Sequence, residues 1–184
     1  IIQNLRRNGA VIIGKSNMTE FANYVSTKMP GGYSSRGGQV IHAVKTGLDP
    51  LGSSTGSAVA VAAGIVPMAL GTDTSHSITA CAMGNGICGL KPPAGVLSQE
   101  GIIPISKTFD SAGAMAQNVS DTLKLYSAMR DEPLPEITQT PAGKLRISVN
   151  IANADMNPQE RRKYLDGVIE TLRNNGVVIS EVNQ

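Results

Sequence analysis

The chain has 184 residues, with 16 Lys and Arg against 14 Asp and Glu, so its net charge of +2 excludes the strongly basic footprint of a nucleic-acid or anionic-membrane binder. Hydrophobic residues make up 41% but aromatics only 3%, with no Trp, so the core must be built from Ala, Val, Ile, Leu and Met in closely approaching elements. No run nears the roughly 20 apolar residues of a membrane-spanning helix, and the opening IIQNLRRNGA is too briefly apolar for a signal peptide.

Residues 1 to 8 read as the end of a helix, Gly9 as the left-handed residue after it, and Val11-Ile12-Ile13 as a buried strand. Lys28 to Gly56 is a long Gly-, Ser- and Pro-rich stretch, expected to be an ordered, functional loop. Ser57 to Ala63 predicts an Ala/Val helix ended by Gly64, Val66 to Leu70 a strand despite Pro67, and Ser77 to Met83 a second short helix. Ser120 or Asp121 is the expected cap of a helix through Leu123, Leu125, Tyr126 and Met129. Asp131 to Gly143 reads as a proline-bearing linker and Lys144 to Val149 as a strand. Asn157 and Pro158 then open a helix through Tyr164, Leu165, Val168, Ile169 and Leu172, which Gly176 stops before Val177-Val178-Ile179. Two helix-Gly-strand phrases, NLRRNGAVII and TLRNNGVVIS, argue for an α/β layered fold.

Cys81 and Cys88 are too few for a disulfide framework or a four-ligand zinc site and read as buried thiols of a reducing compartment, hence a cytoplasmic location. Gly84-Asn85-Gly86-Ile87-Cys88-Gly89 fits the dinucleotide pattern GxGxxG, but Pro92 and Pro93 follow where a helix should begin. No metal-ligand cluster stands out, and His42 reads as a loop residue.

Two hydroxyl-rich segments, Gly52-Ser53-Ser54-Thr55-Gly56-Ser57 and Thr72-Asp73-Thr74-Ser75-His76-Ser77, are separated by one helix and one strand. The helix rises roughly 10 Å and the strand returns roughly 16 Å, so Ser53 and Ser77 can meet. Each segment precedes a predicted helix, where unpaired N–H groups and the positive dipole end favour an anion or oxyanion. A single Ser-rich turn is more often only a turn or cap, and a serine needs a base that this pattern does not name. His76 and Asp73 suggest a Ser-His-Asp set, but an imidazole adjacent to Ser77 on one turn rarely reaches its hydroxyl while a carboxylate holds the other nitrogen.

The runs Gly52-Ser53-Ser54-Thr55-Gly56-Ser57-Ala58, Gly71-Thr72-Asp73-Thr74, Ser77-Ile78 and Cys88-Gly89-Leu90-Lys91-Pro92 strongly resemble the amidase signature family, which hydrolyses C–N bonds of amides. The resemblance extends from Gly14-Lys15-Ser16-Asn17-Met18 and Glu20-Phe21-Ala22 to Gly101-Ile102-Ile103-Pro104, Phe109-Asp110 and Met115, about the first two thirds of the chain. It implies an incomplete α/β domain with a mixed sheet and helices on both faces: an amidase signature core over 1–130 lacking its N-terminal part, the linker 131–143, and a strand-helix-strand continuation over 144–184.

The family's Ser-Ser-Lys triad falls by position on Ser77 as nucleophile and Ser53 as a bridging serine on a cis peptide bond, 24 residues apart. The family's lysine lies upstream of the segment resembling Gly14 to Ala22, so no residue here matches it; Lys15 belongs to another motif. The 184 residues are therefore expected to be a fragment, inactive alone. Backbone N–H groups of Thr74, Ser75, His76 and Ser77 are the implied oxyanion hole, with Ser75 and His76 where the family usually has glycines. Thr79 stands where an arginine commonly follows, removing a possible charge partner for Asp73. The resemblance implies a small-molecule amide substrate, no cofactor, no metal and no nucleic-acid partner. Two alternatives stay open: a non-catalytic amidase-like binding module, and the glutaminase-type subunit of a tRNA-dependent amidotransferase.

Overall fold

The computed structural model describes residues 1–131, 134, 140–150 and 158–182, which divide into two units, Ile1–Leu134 and Pro135–Gln184. In the first, α1 (Ile2–Arg7) is followed by Gly9 at φ +81°, and the glycine-rich stretch holds a small hairpin of β1 (Tyr33–Ser34) and β2 (Gly38–Gln39). Next come α2 (Thr55–Ala62), β3 (Met68–Asp73), α3 (Thr79–Gly84), β4 (Cys88–Leu90), β5 (Ser111–Ala116) and α4 (Val119–Met129).

β5 is the centre of a three-stranded antiparallel sheet of order β3-β5-β4, with Asp73 opposite Ser111 and Leu90 opposite Ala114. Its sequence, SAGAMA, is buried throughout, and small residues let helices approach it from both sides. Because side chains alternate along a strand, Ala112 and Ala114 join Leu5, Leu125, Tyr126 and Met129 on one face, and Met115 joins Ala58, Ile78 and Cys81 on the other. The α/β class with helices on both faces of the sheet is therefore as the sequence implies. In the second unit β6 (Arg146–Asn150) pairs in parallel with β7 (Val178–Val182), and α5 (Pro158–Asn174) ends before Gly176 at φ +83°. Asn157 and most of the expected linker lie outside the described residues.

Four local expectations are corrected. Val11, Ile12 and Ile13 are 86%, 42% and 74% exposed and form no strand, because no described segment offers this run a ladder to join. β3 begins at Met68, so Val66 and Pro67 precede it; Pro lacks the N–H a ladder needs. Asn118, rather than Ser120 or Asp121, caps α4: its Oδ1 accepts the Asp121 N–H at 2.9 Å while its Nδ2 donates to the Asp121 carboxylate. Cys81 is buried, but Cys88, on the short strand β4, is only half-buried.

Candidate active site

The two hydroxyl-rich segments lie side by side, joined through main chain. The Gly52–Ser53 peptide bond is cis. The Ser53 carbonyl accepts the Thr19 N–H at 3.0 Å, and the Ser54 N–H donates to the Ser77 carbonyl at 3.4 Å. Ser54 Oγ donates to the Thr72 carbonyl at 2.9 Å and accepts the Thr72 N–H at 3.1 Å, fastening the start of α2 to β3. Ser53 and Ser77 thereby face one cavity of about 390 Å³, whose walls include Asp49, Gly52, Ser75 and His76. Ser53 Oγ is buried and hydrogen-bonds to no other group among the described residues. Leaving a hydroxyl so costs about 1–3 kcal/mol, which marks it out from Ser54 next to it.

Ser77 is placed by its neighbour. Ile78 is fully buried where the three strands each present a glycine: a Cβ on Gly71 would lie 2.9 Å from Ile78 Cγ1, and one on Gly89 3.1 Å from Cγ2. Asp73, at the end of β3, accepts the Ile78 N–H on Oδ2 at 2.6 Å, with Thr79 N–H farther off at 3.4 Å. Its Oδ1 is 3.0 Å from Lys91 Nζ, which also donates to the Thr74 carbonyl at 2.8 Å. So Asp73 has a cationic partner after all, from the residue following β4 rather than from position 79. Thr74 Oγ1 donates to Asp110 at 2.6 Å. The N–H groups of Ser75, His76 and Ser77 donate to no acceptor among the described residues. Neither Ser75 nor His76 has positive φ, so replacing glycine there carries no left-handed penalty.

Other wall residues escaped sequence reasoning. Phe21, Ala22 and Asn23 have φ of +46°, +55° and +64°, and Ala22 and Asn23 line the cavity. Phe and Ala held in the left-handed region cost about 1–2 kcal/mol each; in EFAN only Asn23, a residue that tolerates that region, hints at the turn. It is anchored from behind: Thr19, fully buried, accepts the Gly32 N–H on Oγ1 at 2.7 Å, and Glu20 accepts the side chain and N–H of Ser35, which hold its carboxyl below the usual range.

His76 Nδ1 is 2.8 Å from Ser75 Oγ and Asp73 is occupied as described, so no Ser-His-Asp relay is assembled. His42 accepts the N–H groups of Val44 and Lys45 on Nδ1, which leaves Nε2–H to donate to the Gly84 carbonyl at 2.9 Å. The GxGxxG run leads from α3 into β4, helix to strand, the reverse of a dinucleotide-binding turn. Among the described residues no group of three or more His, Cys, Asp and Glu could hold a metal ion, and no helix is long and apolar enough to cross a membrane.

The amidase family profile matches residues 1–183, beyond the two thirds that carry recognisable motifs. The chain belongs to the amidase family. This amidase-family chain is 35% identical over 189 residues to a probable amidase of Arabidopsis thaliana, covering 97% of the chain and 37% of the relative. It is 34% identical over 195 residues to a glutamyl-tRNA(Gln) amidotransferase subunit of Sulfurisphaera tokodaii, covering 100% of the chain and 40% of that protein. Among solved structures, it superposes on the native peptide amidase from Stenotrophomonas maltophilia with a TM-score of 0.83 at 35% identity, covering 99% of the chain and 41% of that structure. An amidase family protein from Bacillus anthracis gives a TM-score of 0.87 at 32% identity, with 99% and 40% covered. The chain thus spans about two fifths of the length of these amidase relatives.

Proposed function

We propose that this chain carries the serine half of an amide-hydrolysing site, with Ser77 as nucleophile and Ser53 as proton relay. The observation that carries the reading is Ser53: its Oγ is buried with no partner among the described residues, and the residue lines the same cavity as Ser77. In this reading the Ser77 hydroxyl proton passes to Ser53 Oγ as the Ser53 proton leaves to a base, and Ser77 Oγ attacks the amide carbon. The resulting oxyanion is met by N–H groups of the Thr74–Ser77 turn. Collapse breaks the C–N bond, the amine leaves with a proton, and water releases the acyl group from Ser77. Lys91 is committed to Asp73 and Thr74 and lines no part of the cavity, so it is not read as the base; the amidase signature resemblance implies a lysine upstream of the matched motifs for that role. The 184 residues alone are then inactive. Buried Cys81 supports a reducing, cytoplasmic setting.

The test joins residues 1–184 to the lysine-bearing strand of the family and measures hydrolysis of small amides. Activity lost on Ser77→Ala and on Ser53→Ala supports the reading; an inactive joined protein that still binds amides supports a binding module. The amidotransferase relative in Sulfurisphaera tokodaii favours a second reading, glutamine as the amide, for which ammonia release from glutamine is the assay.

A further inference from the structure

One ion pair holds both ends of the loop that carries Ser77. Asp73, the last residue of β3, and Lys91, the residue after β4, stand at the same end of the sheet on either side of β5, so their contact bridges the central strand. Asp73 is fully buried and Lys91 largely so. On one side Asp73 Oδ2 takes the N–H of Ile78, the residue after Ser77. On the other, Lys91 Nζ donates to the carbonyl of Thr74. A peptide unit is planar and trans, so fixing the direction of the Thr74 carbonyl fixes the Ser75 N–H in the opposite direction. That N–H has no acceptor among the described residues. Lys91 also offsets a buried carboxylate that would otherwise oppose negative charge developing beside it.

We infer that Lys91 is a positioning residue for the Ser77 turn, aiming the Ser75 N–H at the cavity through the Thr74 carbonyl and neutralising Asp73 beneath it. The inference rests on the reading of Ser77 as nucleophile only for its catalytic consequence; the geometric part stands by itself.

Three variants of the full chain joined to the lysine-bearing strand test it: Lys91→Met, Lys91→Arg, and the double variant Asp73→Asn/Lys91→Met, which removes the cation without leaving a lone buried charge. The readouts are the backbone amide signals of Ser75 and His76 by NMR and the rate of Ser77 phosphonylation by a fluorophosphonate. In that reaction a P–O bond forms, fluoride leaves, and the Ser77 proton passes to the relay. The amide signals should move in both variants lacking the cation and return toward the parent's in Lys91→Arg. Maximal labelling rate should fall on the order of 10²–10³-fold, the loss expected for one oxyanion donor, with the half-saturating probe concentration nearly unchanged. The double variant should stay folded by melting curve while showing the same loss. Unmoved Ser75 and His76 signals in the double variant would overturn the inference, as would a labelling loss that merely tracks the unfolded fraction. Failure of the serine reading looks different: Ser77→Ala would then label as the parent does, while the Ser75 signal still follows Lys91.

Discussion

Ile78 occupies the space that a side chain at Gly113 would need. A Cβ on Gly113 would lie 2.7 Å from Ile78 Cδ1 and would collide with the Leu90 carbonyl. The central strand and the residue after Ser77 are therefore fitted to each other. Gly113→Ala should destabilise the first unit by about 1–3 kcal/mol, the usual result of overfilling a packed core, and, with the lysine-bearing strand present, should slow Ser77 labelling beyond the loss of folded protein. Urea titration and fluorophosphonate labelling of the same samples check both parts.

Adjacent serines should respond oppositely to truncation. Ser54→Ala strips the acceptor from the Thr72 N–H and the donor from its carbonyl, so about 1–3 kcal/mol of stability should be lost. Ser53→Ala removes a hydroxyl with no partner among the described residues; stability should hold or rise slightly while Ser77 labelling, measured with the lysine-bearing strand present, disappears. Denaturation midpoints that fall for Ser53→Ala and not for Ser54→Ala would contradict the assignment.

The cap of α4 predicts a pH effect with a definite sign. Hydrogen bonds from Lys124 and then Asn118 hold the Asp121 carboxyl below its ordinary value. A carboxyl lowered on folding contributes above its unfolded pKa, about 3.9, and that contribution fades as pH falls through the folded value. Asn118→Ala should raise the Asp121 titration midpoint seen by NMR and cost about 1 kcal/mol at neutral pH.

The Cys81 thiol is pushed up to about 11, chiefly by burial. At pH 8 its thiolate is then on the order of one part in a thousand, and the nucleophilic form is what alkylates. Iodoacetamide should modify half-buried Cys88 first and reach Cys81 only after denaturation, as peptide mass spectrometry would show.

The sequence disclosed elements whose signals are local and misled where a partner decides. NLRRNGAVII and TLRNNGVVIS each form a helix followed by a left-handed glycine, because caps and apolar spacing act within a few residues. Only the second continues into a strand, since β6 pairs with it and no described strand pairs with Val11–Ile13. That Ser53 and Ser77 line one cavity is legible from the lengths of one helix and one strand, whereas the unbonded state of the Ser53 hydroxyl is not. The role of Lys91 was not: it stands in a family-like motif, Cys88-Gly89-Leu90-Lys91-Pro92, but its partner is 18 residues away on another strand. The left-handed turn at Phe21–Asn23 has only Asn23 as a signal, because Phe and Ala seldom adopt a conformation that glycine normally announces.

Because the two hydroxyl segments are tied by the Ser54 N–H and the Ser77 carbonyl, and Ser53 is hung from Thr19 by its own carbonyl, their spacing belongs to the main chain. The groups at 53 and 77 are interchangeable fittings on a fixed mount: a thiol at 77 would inherit the same address, and new chemistry could be installed there without rebuilding the frame.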